Sequence, residues 1–242
     1  MLSAYSPDNG AVLAMEAHKD DGPFHCPQCE EEVILKQGRV KIAHFAHFPD
    51  ADCSYASEPE SAEHLSVKLE IYEALKAEPG VSKLQVERYL KEVRPDISFC
   101  YENRYIAIEV QISPLRFDEL IRRTTAYAQK NIYVLWTPIL PMNVFSGRYA
   151  PKAWERTIHE LYEGVVYYWV SGLEVVPVEF EEYLLSPSWY SSQEKPSKRF
   201  ITPSLDATTS LLNLSPLNQP RRYPYPPARL WGLPFEDVES QE

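Results

Sequence analysis

Cys26-Pro-Gln-Cys29 places two thiols on one tight knuckle, a spacing that lets both reach a single tetrahedral cation. His44-Phe-Ala-His47 and Cys53 follow within the next residues, completing a Cys₃His zinc set. The preferred ligands are Cys26, Cys29, His47 and Cys53, with His44 as the competitor for the histidine position. Free thiols in a reducing compartment, or a disulfide, are the other uses of such cysteines. The recurrence of Cys and His at ligand spacing favours zinc. A closed four-ligand site is structural, holding a segment too short to bury its own core.

The second chemical feature is a pair of carboxylates. In the stretch from Arg94-Pro-Asp96 to Glu109-Val-Gln-Ile112, a two-residue turn at Glu102-Asn103 sets Asp96 directly opposite Glu109. Alternation then puts Ile97, Phe99, Tyr101, Ile106, Ile108, Val110 and Ile112 on one face. Asp96, Ser98, Cys100, Tyr105, Ala107, Glu109 and Gln111 fall on the other. Facing carboxylates repel, and a divalent cation between them removes the penalty. Two carboxylates that point into water pay little for their repulsion, and the hairpin alone does not decide between these readings.

The neighbouring residue types supply what a phosphodiesterase needs: metal-binding carboxylates, a water nucleophile and a cation for the developing phosphorane charge. Glu63 and His64 open the preceding helix, with Lys68 one turn beyond His64. Arg122 and Arg123 lie in the helix that follows. Each also has an ordinary use, as a helix-dipole partner or a solvated charge.

These residues need elements to hold them. A helix is expected over His64–Ala77, with Ser61 as N-cap and Pro79-Gly80 as its end. Val33–Ile42 reads as a hairpin turning at Gln37-Gly38. Ser113-Pro114 begins a second helix reaching Lys130, and Asn131–Thr137 is a short buried strand. A third helix, Pro151–Glu163, precedes strands Val165–Val170 and Val175–Phe180. Beyond Leu185 the text turns to Pro, Ser and Asn and is expected to be irregular, with Trp231 and Phe235 touching the core.

The chain has 242 residues, 44% of them hydrophobic and 24% charged, as in soluble globular proteins. No signal peptide is apparent, and Ile132–Phe145 is too short and too proline-broken to span a bilayer, so a cytoplasmic address is expected. The net charge of -11 disfavours a nucleic-acid partner overall. Its distribution is uneven: residues 83–130 carry 9 basic and 7 acidic side chains, against 4 and 12 in residues 1–63. That is compatible with a local phosphate-binding surface and equally with a solvated charged face.

Cys26-Pro-Gln-Cys29, His44-Phe-Ala-His47, Glu63-His64-Leu-Ser-Val-Lys68, Arg94-Pro-Asp96, Ile108-Glu-Val-Gln-Ile112 and Arg123-Thr-Thr-Ala-Tyr127 leading to Ile132-Tyr-Val-Leu-Trp136 stand in one order. Together they resemble the competence protein CoiA-like family, whose core is similar to the restriction-endonuclease fold with its P-D…(D/E)-x-K signature. The resemblance implies that Asp96 and Glu109 are metal ligands and that Gln111 stands where most such nucleases carry lysine. Glutamine brings no charge, so the cation must come from Lys68 or Arg123. It further implies incoming single-stranded DNA or recombination intermediates as substrate, in the bacterial cytoplasm.

The expected fold is therefore α/β: a restriction-endonuclease-like core (helix, β-hairpin, helix, strand), an N-terminal zinc-binding β module and an irregular Pro-rich C-terminal tail. The expected boundaries are 1–57 for the zinc module, 58–182 for the nuclease-like core and 183–242 for the tail. The expected activity is a Mg²⁺- or Mn²⁺-dependent DNA phosphodiesterase of the competence and recombination type. Glu63 would complete the metal shell or orient water, and Gln111 would position the nucleophile. Lys68, Arg94, Arg122 and Arg123 would meet phosphate. The alternatives are a non-catalytic DNA-binding module accessory to recombination proteins, and a protein–protein adaptor suited to the acidic flanks and tail.

Overall fold

Alternating burial along Glu32–Lys36, with Val33 and Leu35 inward, marks a strand packed on one face only. It belongs to an antiparallel sheet built from β1 (Ser3–Ser6), β2 (Gly10–Leu13), β3 (Phe24–His25), β4 (Glu32–Lys36) and β5 (His44–His47), in the order β2-β1-β3-β4-β5. Ala4, Phe24, Val33, Leu35 and Phe45 fill its core together with Cys26 and Cys53, and the Phe24 and Phe45 rings lie 4.9 Å apart. The antiparallel partner of β4 is β5, with Lys36 facing His44 and Val33 facing His47, so the second strand of the hairpin expected over Val33–Ile42 begins only at His44. The computed structural model describes residues 1–8, 10–39, 41–53, 60–186, 193–222 and 224–232.

The sheet shares one compact unit, Met1–Val110, with the first helix and a second set of strands. Helix α1 (Ala62–Lys76) starts where Ser61 accepts a hydrogen bond from the His64 amide at 3.1 Å. Leu2, just before β1, shares one apolar cluster with Leu65 of α1 and Val86. Strands β6 (Ser82–Val86), β7 (Ile97–Tyr101) and β8 (Arg104–Gln111) pair antiparallel in that order. Glu102 and Asn103 both take left-handed φ values, 47° and 62°, the signature of the type I′ turn that suits strand twist. The register is the one read from the sequence: Ile97 faces Ile108 and Tyr101 faces Arg104. Both faces of this hairpin are largely buried, so the carboxylate face is not a water-facing one.

The second unit, Gln111–Glu242, begins at the last residue of β8. Helix α2 (Phe117–Gln129) has Arg116, not Ser113, at its N-cap. It is followed by β9 (Ile132–Pro138), α3 (Ala153–Leu161), β10 (Val165–Ser171) and β11 (Glu174–Leu185). The expected irregular tail is instead mostly stranded where it is described. β12 (Lys195–Leu205) pairs with β11, which also pairs with the short β13 (Thr209–Ser210). β14 (Ser215–Gln219) and β15 (Ala228–Gly232) form an antiparallel pair, and β15 joins β9 in parallel at Leu230–Val134. Prolines at 196 and 203 sit in β12, which closes its three-strand order, where a missing N–H costs least. Trp231 is buried as expected, whereas Phe235 lies outside the described residues.

A thiol–imidazole group and a buried ion network

Cys26, Cys29, His47 and Cys53 offer ligand atoms that all lie within 4.8 Å of one another. Cys29 Sγ is 3.4 Å from His47 Nε2, and the Gln28 amide donates to Cys26 Sγ at 3.4 Å. The β3–β4 turn supplies the first two thiols and β5 supplies the imidazole. His44 and His47 are three residues apart on a strand, so they point to opposite faces. His44 instead places Nδ1 2.9 Å from the Ile42 carbonyl. Burial, with Cys53 and Cys26 close by, pushes the Cys29 thiol up to about 12. A dication would reverse that preference, because it stabilises thiolates. The donor set fits zinc: three soft sulfurs, one imidazole and a small apolar shell.

The second cluster grows from α1. Glu60, His64 and Lys68 recur every four residues and share one face. Lys68 sits in line with buried Leu65, Ile71 and Leu75 and is itself only 1% exposed. Such a burial is tolerable only if the ammonium is paired. Its Nζ contacts carboxylate oxygens of Glu60 and Glu87 and lies 3.5 Å from Asp96 Oδ1. Burial opposes the ammonium, but Glu87, Glu60 and Asp96 outweigh it and raise the lysine above its ordinary value.

Glu87 follows β6 with a left-handed φ of 54° and is buried. Its carboxylate accepts from the Leu2 amide at 2.9 Å and pairs with Arg94, tying β1 to the floor of the cluster. Burial works against its charge, yet Arg94 and Lys68 hold Glu87 down at about 2. Asp96 accepts from the Val110 amide at 2.9 Å and from His64 Nε2 at 3.2 Å. Burial again opposes ionisation, and His64 and Lys68 overcome it to leave Asp96 at about 2. His64 is also 3.2 Å from Glu60; burial disfavours the imidazolium, but Asp96 and Glu60 lift it to about 10. The cluster is thus a set of ionised carboxylates held by Lys68, Arg94 and a protonated His64.

Glu109 is 2% exposed, and the next pair in the β7–β8 register after Ile97–Ile108 is Asp96 with Glu109. Glu60, His64 and Asp96 offer ligand atoms within 4.8 Å of one another. Glu63 does not join them; it is exposed on the outer side of α1, and the acidic residue its helix start brings inward is Glu60. Arg94 is buried against Glu87 rather than presented to a ligand. Gln111 is buried and its side-chain amide donates to the Ser113 carbonyl. Arg122 is exposed and pairs with Glu119 at 2.7 Å, while the Arg123 guanidinium lies over the Trp136 ring at 5.2 Å. Sequence reasoning missed Glu60 and Glu87. The repeat of four at 60, 64 and 68 was a usable signal for the first; the second hangs on a backbone conformation that residue types do not reveal.

A Cys₃His group beside a helix–hairpin frame that buries a lysine among carboxylates defines a mixed α/β protein with a candidate zinc centre near its N-terminus. Residues 60–163 match the family model described as competence protein CoiA, nuclease-like domain, and residues 11–56 match that of the competence protein CoiA N-terminal domain. The chain belongs to the competence protein CoiA-like family. A curated relative, competence protein CoiA of Bacillus subtilis (strain 168), is 34% identical over 115 residues, which cover 47% of this chain and 30% of that protein. The matched stretch therefore spans less than a third of the relative's length. No solved structure matches the chain.

Proposed function

We propose that this protein is a divalent-cation-dependent DNA phosphodiesterase serving competence and recombination. Its substrates would be incoming single-stranded DNA or recombination intermediates in the bacterial cytoplasm, with recombination proteins as partners. The observation that supports this most is the buried Lys68 ammonium 3.5 Å from Asp96, on a hairpin whose register sets Asp96 opposite Glu109. Asp96 and Glu109 would hold Mg²⁺ or Mn²⁺, since paired carboxylate oxygens suit hard dications. The bound cation would contribute Lewis acidity and a more acidic water. Lys68 supplies the positive charge that Gln111 lacks, and Glu60 and Glu87 fix the ammonium in place for developing phosphorane charge. His64 holds a proton between Glu60 and Asp96 and orients the Asp96 carboxylate.

The test is cleavage of single-stranded, duplex and branched DNA with Mg²⁺ or Mn²⁺, comparing the wild type with Asp96→Asn and Glu109→Gln. Activity that vanishes in both variants while DNA binding in EDTA persists supports the reading. DNA binding without cleavage by the wild type in either metal supports a second reading, a non-catalytic recombination accessory. That reading has its own observation: Lys68 is already paired with carboxylates and so needs no phosphate to be satisfied.

A further inference from the structure

Within the second unit, two short segments lie side by side. Tyr149 and Ile201 exchange backbone hydrogen bonds of 2.9 and 2.8 Å, joining the loop before α3 to β12. Residues 148–156 carry Arg148, Lys152 and Arg156, and residues 195–204 carry Lys195, Lys198 and Arg199. Glu155 is the single carboxylate in the two segments. It is buried and accepts from the hydroxyls of Tyr149 at 2.7 Å and Tyr168 at 2.9 Å, so it neutralises none of the surface cations. Among the described residues none of the six cations makes an ion pair. Arg122, Arg116 and Arg104 contrast with them, each tied to a neighbouring carboxylate.

Aromatic rings are interleaved with these charges. The Arg148 and Arg199 guanidiniums lie 4.6 and 5.2 Å from the centre of the Phe200 ring, and Tyr183 meets the same ring edge-on at 6.1 Å. Phe145, 61% exposed, lies in the 3₁₀ turn Met142–Ser146, three residues before Arg148. A partly exposed ring beside two arginines that make no ion pair among the described residues is the combination that single-stranded nucleic acids use: phosphates follow the cations and a base stacks on the open part of the ring. The exposed Glu179, Glu181 and Glu182 on β11 pair across from Ser204, Thr202 and Ile201 and bound the strip on that side.

We infer that Arg148, Lys198, Arg199 and Phe200 form a single-stranded nucleic-acid platform in the second unit, separate from the Lys68 cluster. It requires no catalysis, so it stands or falls independently of the phosphodiesterase reading. The experiment is fluorescence anisotropy of the full chain with a fluorescein-labelled oligothymidylate of about 12 nucleotides. It is run in EDTA over a salt series, which removes cleavage from the readout. Arg148→Gln with Arg199→Gln should weaken binding about tenfold or more and lower the log–log salt slope by about 1.4, the value for two phosphate contacts on a single strand. Phe200→Leu should weaken binding about tenfold while leaving the salt slope unchanged. Should a variant melt below the wild type, photocrosslinking of a bromodeoxyuridine oligonucleotide to the wild type replaces it, with adducts expected at Phe200 or Tyr183. Wild-type affinity in the folded double variant, or adducts confined to residues 1–110, overturns the inference. So does binding to phosphatidylglycerol vesicles with none to the oligonucleotide.

Discussion

Lys68 is the residue on which the first unit turns. An ammonium inside a helix stripe otherwise made of Leu65, Ile71 and Leu75 survives only through its carboxylate partners. Those partners in turn depend on it, because a buried ion pair broken on one side leaves an uncompensated charge. Lys68→Ala should therefore cost about 3–5 kcal/mol of stability, measured by thermal or urea unfolding in EDTA. Because Glu87 also holds buried Arg94, Glu87→Gln should still destabilise, but by less on the Lys68→Ala background than on the wild type, a coupling that a double-mutant cycle reads directly. A Lys68→Ala variant as stable as the wild type would show that the ammonium is not pinned as described. Reading residue types alone set Asp96 against Glu109 as one of two repelling carboxylates. In the structure His64 and the Val110 amide donate to the Asp96 carboxylate and the Lys68 ammonium lies 3.5 Å from it, three contacts that favour its charge.

At the scale of elements, the β7–β8 hairpin was the most legible part of the chain. Its apolar alternation and an Asn in the turn leave a single register, and a slip by one residue would invert both faces. The Cys₃His group was legible for a similar reason, since ligand spacing is a local property. β6 was not: Ser82-Lys-Leu-Gln-Val86 offers two apolar residues and an irregular register with β7. The zinc reading also changes in scope. Leu2 packs on Leu65, and the Leu2 and Ser3 amides reach Glu87, so the first sheet and the ion network share contacts. Protein purified without added zinc should carry one equivalent per chain by metal analysis. Chelation, or Cys26→Ser with Cys29→Ser, should loosen β1–β5 and also lower the melting temperature of α1 and β6–β8. Well-folded protein with far less than one equivalent would end the assignment.

A second element, α3, carries a group that responds to acid. His159 stacks on Phe180 with ring centres 4.5 Å apart, and its Nε2 accepts the Phe180 amide at 3.3 Å. Burial lowers its pKa below the ordinary 6.5, so the neutral ring is the form that the fold prefers. The unfolded chain then binds the proton more readily, and the stabilisation is present above pH 6.5 and shrinks as pH falls. Unfolding measured between pH 7.5 and about 5 should show stability dropping with acid, and His159→Gln should flatten that slope relative to the wild type. Equal slopes in the two proteins would remove His159 from the account.

Over the whole molecule, the largest departure from the sequence reading lies after Leu185. Proline, serine and asparagine dilute every periodic signal there, and composition of that kind normally marks chain that cannot pay for its own ordering. What orders it is long-range: β15 lies beside β9, nearly a hundred residues earlier, and no local pattern announces such a partner. Leu230 and Trp231 are fully buried in that position. The Trp231 indole N–H donates to the Leu211 carbonyl at 2.8 Å, and its ring meets Tyr133 edge-on at 6.2 Å. Gly232 follows with its α-carbon so close to Tyr162 and Tyr167 that an added methyl would come within 3.2 Å of the first ring. Trp231→Ala should thus behave as a core truncation, costing about 3–5 kcal/mol, where an irregular tail would lose no more than about 0.5 kcal/mol. Thermal unfolding of the full chain measures it, with Trp231→Phe as the milder comparison that keeps most of the apolar volume and loses the hydrogen bond. A large loss for alanine and a smaller one for phenylalanine is the expected order. Two variants that both melt with the wild type would mean that β15 contributes nothing to the second unit and that the tail is as irregular as its composition suggests.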